Sequence, residues 1–373
     1  MENIPKIRYQ EFTDQWKKQK IGSITTSYSG GTPKSSNKNY YSGEIPFIRS
    51  GEVNSNMTEL FINEEALKDS SAKLVEKGDI LYALYGATSG EVSMSKINGA
   101  INQAILAIKP HEYYSPEFIV NFLKKEKDNI LDKYLQGGQG NLSAAIIKGI
   151  EISLPTYSEQ SAIGSLFCTL DDLLADYKEN LVNYKAFKAS MLSKMFPKSG
   201  QTVPEIRLAT FEGEWKQDQA DKIFKPVSEK NRADLPVLSA SQVDGMVLRG
   251  EIGIDIKYDE TTLINYKVVR PNQFVIHLRS FQGGFALSKI EGITSPAYTI
   301  IDFIEKDKHN SEFWNCILTS TSFIKLLETV TYGIRDGKSI SFKDFSSLKF
   351  VFPEFKEQQV IGSYFSNLDS LIN

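Results

Sequence analysis

Residues 154–174 read LPTYSEQSAIGSLFCTLDDLL, and residues 352–372 read FPEFKEQQVIGSYFSNLDSLI. Pro155, Glu159, Gln160, Ile163, Gly164, Phe167, Leu170, Asp171 and Leu173 recur at Pro353, Glu357, Gln358, Ile361, Gly362, Phe365, Leu368, Asp369 and Leu371. A fixed offset between two such stretches divides the chain before any element is assigned. A second echo has nearly the same offset: PKIRYQEFTDQW (5–16) and PEIRLATFEGEW (204–215). Pro5, Ile7, Arg8, Phe12 and Trp16 are matched by Pro204, Ile206, Arg207, Phe211 and Trp215. Agreement at both ends of the unit means a duplicated domain. The repeated aromatics Phe12, Trp16, Phe211 and Trp215 point to core, or to packing of each unit's opening strand on a helix.

Between the echoes the letters diverge while a skeleton persists. VEKGDILYALYG (75–86) matches VRPNQFVIHLRS (269–280), a turn followed by a buried strand. SKINGA (95–100) matches SKIEGI (288–293), and IEISLP (150–155) matches LKFVFP (348–353), short strands of which the latter pair stops at proline. YLQGGQGNLS (134–143) and YGIRDGKSIS (332–341) are polar, Gly-rich loops. Each unit therefore reads as a mixed α/β domain followed by a helix. Conserved ends with diverged interiors suggest one architecture carrying two specificities.

The stretch after Pro155 has no internal proline, and its apolar residues step by four and three. Ile163, Phe167, Leu170, Leu174, Tyr177, Leu181, Tyr184, Met191 and Met195 form a heptad seam, interrupted once at Lys188 and stopped by Pro197 and Gly200. Tyr177 and Tyr184 are seam rather than site. The second unit starts the same seam with Ile361, Phe365, Leu368 and Ile372. The spacing predicts one helix of nearly forty residues, about 55 Å long, pairing antiparallel with the second as a rigid spacer.

Composition narrows the function. The 373 residues are 41% hydrophobic with a net charge of −3 and a pI near 5.8, which argues against a protein that coats nucleic acid by bulk charge. Cys168 and Cys316 match no metal or redox spacing, and His111, His277 and His309 stand singly. No leader-like or bilayer-length apolar run is present, so a cytoplasmic protein without a membrane contact is expected.

With these motifs in place, the chain resembles the specificity (S) subunit family of Type I restriction–modification enzymes. The resemblance lies in GGTPKSSNKNYYSGEIPFIRSGEV (30–53), YALYGATSGEVSMSKINGAINQAI (82–105), GNLSAAIIKGIEISLPTYSEQSAI (140–163) and PEFKEQQVIG (353–362), and it covers essentially the whole chain. It implies an α/β (α+β) fold with two tandem target-recognition domains containing twisted mixed sheets, separated by long antiparallel coiled-coil-like helices with pseudo-twofold symmetry. The implied boundaries are 1–154 for the first target-recognition domain and 155–197 for the central spacer helix. The second target-recognition domain would span 198–352, with 353–373 as the distal helix. That helix stops after about four turns and looks truncated beside the first, which weakens a full antiparallel pair and docking on that side. The family role is to read double-stranded DNA, each domain taking half of a bipartite site. The helices would dock two methyltransferase (M) subunits, and restriction (R) subunits can join. No cofactor belongs to this chain on that reading; S-adenosylmethionine, ATP and magnesium sit on the partners.

Enzyme readings find no support in the residues. A methyltransferase would show an Asn/Asp-Pro-Pro-aromatic motif, and the sequence has no Pro-Pro. GIRDGKS (333–339) imitates a phosphate loop but leaves three residues, not four, between Gly333 and Gly337. No Gly-x-Ser-x-Gly elbow occurs. The rivals that remain are a coiled-coil adaptor for proteins and, less favoured, a stand-alone methyltransferase.

Bases are read by amide, hydroxyl, guanidinium and ammonium side chains reaching the major groove, so the expected readers lie in loops where the halves diverge. In the first unit these are Lys34, Ser36, Asn37, Arg49, Ser50, Tyr85, Thr88, Ser89, Asn102, Gln103, Gln136, Gln139, Asn141 and Ser143. In the second they are Lys230, Arg232, Ser239, Ser241, Gln242, His277, Arg279, Ser280, Gln282, Arg335, Lys338 and Ser339. Arg279, Gln139 and Asn141 stand out; Arg279 lies beside glycines that permit close backbone approach. Partner contacts are expected on the spacer helices at Ile163, Phe167, Leu170, Leu174, Tyr177, Leu181, Ile361, Phe365 and Leu368. Glu159, Gln160, Glu357 and Gln358 either cap their helices or touch an M subunit.

Overall fold

The computed structural model describes residues 5–135, 141–208, 210–241, 244–252, 260–277, 284–330 and 342–373. The chain divides into two compact units, Met1–Tyr177 and Lys178–Asn373. Each is built around a four-stranded antiparallel sheet with the same strand order. In the first unit the order is Thr25–Ser29, Ile105–Pro110, Ile80–Ala83, Val92–Met94. In the second it is Phe224–Val227, Thr299–Phe303, Phe274–Ile276, Phe285–Leu287.

The central strand is buried on both faces, and its side chains alternate between two cores. Ile80 and Tyr82 join Phe118, Ile119 and Leu123 of the helix Pro116–Lys125. Leu81 and Ala83 face a second cluster with Ile48, Val75 and Ile101. The second unit repeats the split: Phe274 and Ile276 pack on Trp314 and Phe345, while Val275 faces Leu238 and Met246. The outer layer is where the units part. In the first it is a four-stranded sheet in which Ile45–Ile48 runs parallel to Gly99–Ile101. In the second, two separate antiparallel ribbons take its place, Leu238–Ser241 with Gly245–Leu248 and Lys267–Val269 with Gly292–Thr294.

The matching ends of each unit meet in space. Lys17–Lys20 pairs antiparallel with Glu151–Leu154, and Lys216–Gln219 with Lys349–Phe352. Both closing strands run through proline into a helix. Here one expectation is corrected. Glu159 is wholly buried, receiving Arg8 Nε and Nη2 at 2.7 and 2.6 Å and Trp16 Nε1 at 3.3 Å. Glu357 receives Arg207 in the same bidentate way, at 2.8 and 2.7 Å. Each carboxylate raises the pKa of its arginine through the hydrogen bonds. Gln160 accepts from Ser115 N (3.1 Å) and donates to Pro155 O (3.0 Å). Gln358 accepts from Asn310 N (3.0 Å) and donates to Pro353 O (2.9 Å). The Glu-Gln pairs neither cap a helix nor face a partner; they clamp the helix start to its own unit.

The long helix spans Tyr157–Lys194, 38 residues, about 57 Å at 1.5 Å per residue. Its ends are packed, while Phe167, Leu170, Leu174, Tyr177 and Tyr184 stand exposed and Leu181 is half-buried. The distal helix Phe355–Ile372 meets only the last turns. Lys188 pairs with Asp369, and Phe196 lies 6.0 Å from Phe365, so the two segments run antiparallel. Lys188, the polar break in the seam, has its carboxylate there. Ile361, Phe365 and Leu368, expected at a partner surface, are instead interior, because Met191, Leu192, Met195 and Phe196 cover them.

Candidate nucleic-acid interface

In the first unit, five loops widely spaced in sequence are brought to one end of the central sheet. Gly31 N donates to Ile101 O at 3.2 Å, and a Cβ on Gly30 would lie 1.8 Å from that same oxygen, so the Gly-Gly pair lets loop 30–37 lie against the strand Gly99–Ile101. Thr32 Oγ1 donates to Gln103 Oε1 at 2.5 Å. Ser50 Oγ lies beside Gly86, whose φ of +95° turns the chain after the strand. Leu142 N donates to Leu84 O at 2.9 Å, which sets Asn141 and Ser143 next to the loop 85–90.

The expected readers divide into exposed side chains and side chains held by neighbours. Lys34, Ser36, Gln103, Asn141 and Ser143 are exposed, and Thr88 is half-buried. Ser143 also caps the helix Ala144–Gly149 by accepting from Ile146 N, and Asn37 caps a short turn by accepting from Asn39 N. Arg49 is held by Glu52 at 2.8 Å and Glu59 at 2.9 Å, and these hydrogen bonds raise its pKa. Ser89 Oγ donates to Leu84 O, and Asn102 Oδ1 accepts from Ala104 N, so both shape loops. Tyr85 is half-buried, its pKa raised by burial. The surface thus offers an ammonium, amides and hydroxyls, the donor–acceptor set that base edges pair with.

In the second unit Lys230 is exposed, and Arg232 is paired with Asp234 at 2.8 Å. Ser239 Oγ accepts from Arg249 Nε at 3.0 Å, and Ser241 Oγ donates to Asp244 at 3.0 Å. His277 packs edge-on to Tyr298, with ring centroids 6.2 Å apart. Gln242, Arg279, Ser280, Gln282, Arg335, Lys338 and Ser339, with Gln136 and Gln139 of the first unit, lie outside the described residues.

Two features escaped the sequence reading. The Arg8–Glu159 and Arg207–Glu357 clamps had a signal, opposite charges repeated at matching offsets in both units. A group of lysines, Lys18, Lys20, Lys124, Lys125 and Lys133, lines a groove in the first unit; spread over more than a hundred positions, they form no run in the sequence. Among the described residues, no three His, Cys, Asp or Glu side chains gather to hold a metal, and no helix is long and apolar enough to cross a membrane.

A family model for the Type I restriction modification DNA specificity domain matches residues 13–184 and again 217–373. The MjaIX specificity subunit of Methanocaldococcus jannaschii is 28% identical over 173 residues, 44% of this chain and 40% of that protein. The HindI specificity subunit of Haemophilus influenzae is 28% identical over 171 residues, 41% of this chain and 35% of its own length. The matched stretches thus span about two-fifths or less of these relatives. Among solved structures, the S subunit of a Type I restriction-modification system from M. genitalium aligns over 100% of this chain and 92% of its own, with a TM-score of 0.64 at 15% identity. That likeness is one of fold.

Proposed function

The chain belongs to the Type I restriction modification DNA specificity family, and from that premise we propose that it is a non-catalytic subunit that chooses the DNA sequence for a cytoplasmic methyltransferase and restriction complex. Each unit reads one half of a bipartite duplex site, and the long helix sets the gap between the halves. The observation that carries this reading is the duplication itself: the inner sheet and helix clamps are repeated, while the outer layer and loops differ. A catalyst duplicated for activity would keep its reactive side chains; a reader duplicated for two words keeps its frame and varies its loops.

Lys34, Ser36, Gln103, Asn141 and Ser143 are the base and phosphate contacts assigned to the first unit. Lys230 and His277 are assigned to the second, with Arg279, Arg335 and Lys338. The exposed apolar residues along the long helix, Phe167, Leu170, Leu174 and Tyr177, form a continuous patch of the kind that marks protein docking. We assign it to M subunits, which carry S-adenosylmethionine, with R subunits and their ATP and magnesium joining the complex.

Sequencing of methylated bases in DNA from cells that express the chain with its M subunit tests the reading. A bipartite motif with a constant gap is expected. Removal of seven residues between Leu174 and Leu181 shifts the gap and leaves both half-sites intact. A single contiguous motif, or half-sites altered by that deletion, would overturn it. The adaptor alternative is separated by a gel shift with the M subunit: sequence-dependent binding that weakens steeply with salt belongs to DNA recognition alone.

A further inference from the structure

The carboxyl end of the strand Ile45–Ile48 holds a guanidinium in a fixed pose. Ile48 lies beside Ile101 in a parallel pair, so Arg49 and Asn102 follow their strands at the same end of the outer sheet. Arg49 gives Nε and Nη2 to Glu52 at 3.2 and 2.8 Å, a bidentate grip on one side of the planar fork. Glu52 is itself held. It accepts from Arg49 N at 2.9 Å, Thr58 Oγ1 at 3.2 Å and Glu59 N at 3.3 Å, and its side chain is 15% exposed. The outer edge of the fork is occupied differently: Nη2 donates there to Glu59 at 2.9 Å, and the Glu59 side chain is 84% exposed. Glu52 is a mount, whereas Glu59 is a loose cover, because water competes with an exposed pair.

The second unit keeps the guanidinium and changes its source. Val237 bridges Ile293 in parallel as Phe47 pairs with Ala100, which makes Ser239 the positional equivalent of Arg49. Ser239 Oγ accepts from Arg249 Nε at 3.0 Å, and Arg249 follows the paired strand Gly245–Leu248. Both units thus present an arginine where this strand ends, although the sequence position that supplies it differs.

Charge decides between the acceptors that DNA offers. Arg49, Glu52 and Glu59 together carry one positive and two negative charges, so a phosphate approaches a cluster of its own sign. A guanine brings no charge and presents O6 and N7 as a paired acceptor for an arginine fork. We propose that Arg49 reads a guanine: Glu52 fixes the side chain, and the guanine displaces Glu59 from the outer edge, where its carboxylate stands in for O6 and N7 in the free protein. Glu59 thereby keeps the arginine off phosphates until that base arrives. The inference rests on the DNA-reading function proposed above and adds to it a base and a means of selecting it.

The test uses the complex of the full chain with its M subunit and a fluorescein-labelled duplex carrying the methylated motif found by sequencing. Each guanine of the motif is replaced in turn by 7-deazaguanine, which lacks the N7 acceptor, and binding is followed by anisotropy. At one guanine, wild type loses about fivefold or more in affinity, while Arg49→Gln binds both duplexes alike. Glu59→Gln, a change at an exposed side chain, widens the ratio between the two duplexes about twofold or more, since the guanine no longer displaces a carboxylate. The charge removed by that change is common to both duplexes and cancels in the ratio. The proposal is overturned if every replacement costs Arg49→Gln as much as wild type. It is also overturned if Arg49→Gln weakens all duplexes equally, which would assign Arg49 to phosphate. A wild type indifferent to every replacement overturns it without any variant, and a ratio unmoved by Glu59→Gln overturns the exchange. The wild-type motif reports on DNA reading by itself and the deazaguanine ratios on Arg49 alone, so the two proposals fail separately.

Discussion

The two units use one set of clamps to hold differently finished helices. Arg8 and Arg207 grip Glu159 and Glu357, and Gln160 and Gln358 tie the helix start to the loop before the next helix in the fold. Along the helices beyond the clamps the resemblance stops. The second unit covers its helix with Phe196 and the methionines before it, while among the described residues the equivalent face of the first, at Phe167, stands exposed. The difference teaches that the repeat conserves how a helix leaves its domain, and not what that helix then meets. A buried carboxylate without its arginine is strongly unfavourable, so the clamp is hard to vary; an exposed apolar stripe can change its partner freely.

The largest way to sharpen the contrast is Phe196→Ala. Loss of a ring packed on three aromatics costs about 3 kcal/mol, the lower end for Phe→Ala because Phe196 is half-buried. Hydrogen exchange should accelerate in Ser311–Leu318 and Phe355–Ile372 and stay unchanged in Ile105–Pro110. Equal acceleration in the sheet of the first unit would mean that the two units are not independent. Next comes Gly362→Ala. A Cβ there would lie 2.8 Å from Phe313 N and 2.5 Å from Asn310 Oδ1, so the substitution costs about 2 kcal/mol despite alanine's helix preference. Gly164→Ala is expected to cost less, its backbone neighbour Phe118 N being 3.3 Å away. Chemical denaturation of the two variants gives the order, and the reverse order would break the equivalence of the clamps.

Acid should separate the units by a smaller margin. His309 is stacked on Phe303 at 5.3 Å, and its Nδ1 accepts from Trp314 Nε1 at 3.3 Å; burial pushes its pKa down to about 4. The unfolded chain, with an ordinary imidazole near 6.5, binds more protons in between. Stability is therefore fully present above about pH 6.5 and falls as the pH drops toward 4, by about 1–2 kcal/mol, less than the full shift because solvent still reaches part of the ring. His309→Phe keeps the stack and should flatten that slope in denaturation midpoints measured across the range. A slope unchanged by the substitution would place the acid sensitivity elsewhere.

Much of this was legible in the sequence, for a physical reason. Helix starts and opening strands are fixed by local packing, so their residues repeat: Pro155 and Pro353, Gly164 and Gly362, Trp16 and Trp215. The continuous helix followed from the seam and the absence of proline. What the letters concealed was environment. Phe167 and Phe365 are the same residue at the same seam position, yet one is open and the other interior, because Phe196 comes from far along the chain. Glu159 has the look of a first-turn surface acid and is buried, since its arginine lies 151 positions away. Arg49 has the residue type of a guanine reader and is held by two glutamates close in sequence. Residue type predicts what a side chain can bind; only the fold says what has already bound it.

The smallest effect tests the seam itself. Asp171 and Asp369 are repeats of one another, and each meets a lysine, but the lysines come from different places. Asp171 takes Lys124 of its own domain helix at 2.9 Å, whereas Asp369 takes Lys188 of the long helix. The Lys124–Asp171 pair is exposed and the Lys188–Asp369 pair only partly buried, so a double-mutant cycle with Lys188→Ala and Asp369→Ala should give a coupling of about 0.5 kcal/mol, screened by salt. The corresponding cycle at Lys124 and Asp171 should give no more. The informative outcome is specificity: reversing the pair as Lys188→Asp/Asp369→Lys should recover most of the coupling lost in either single variant, because antiparallel register, not helix identity, brings them together. A reversed pair as weak as the single variants would mean that Lys188 interrupts the seam for some reason other than its carboxylate.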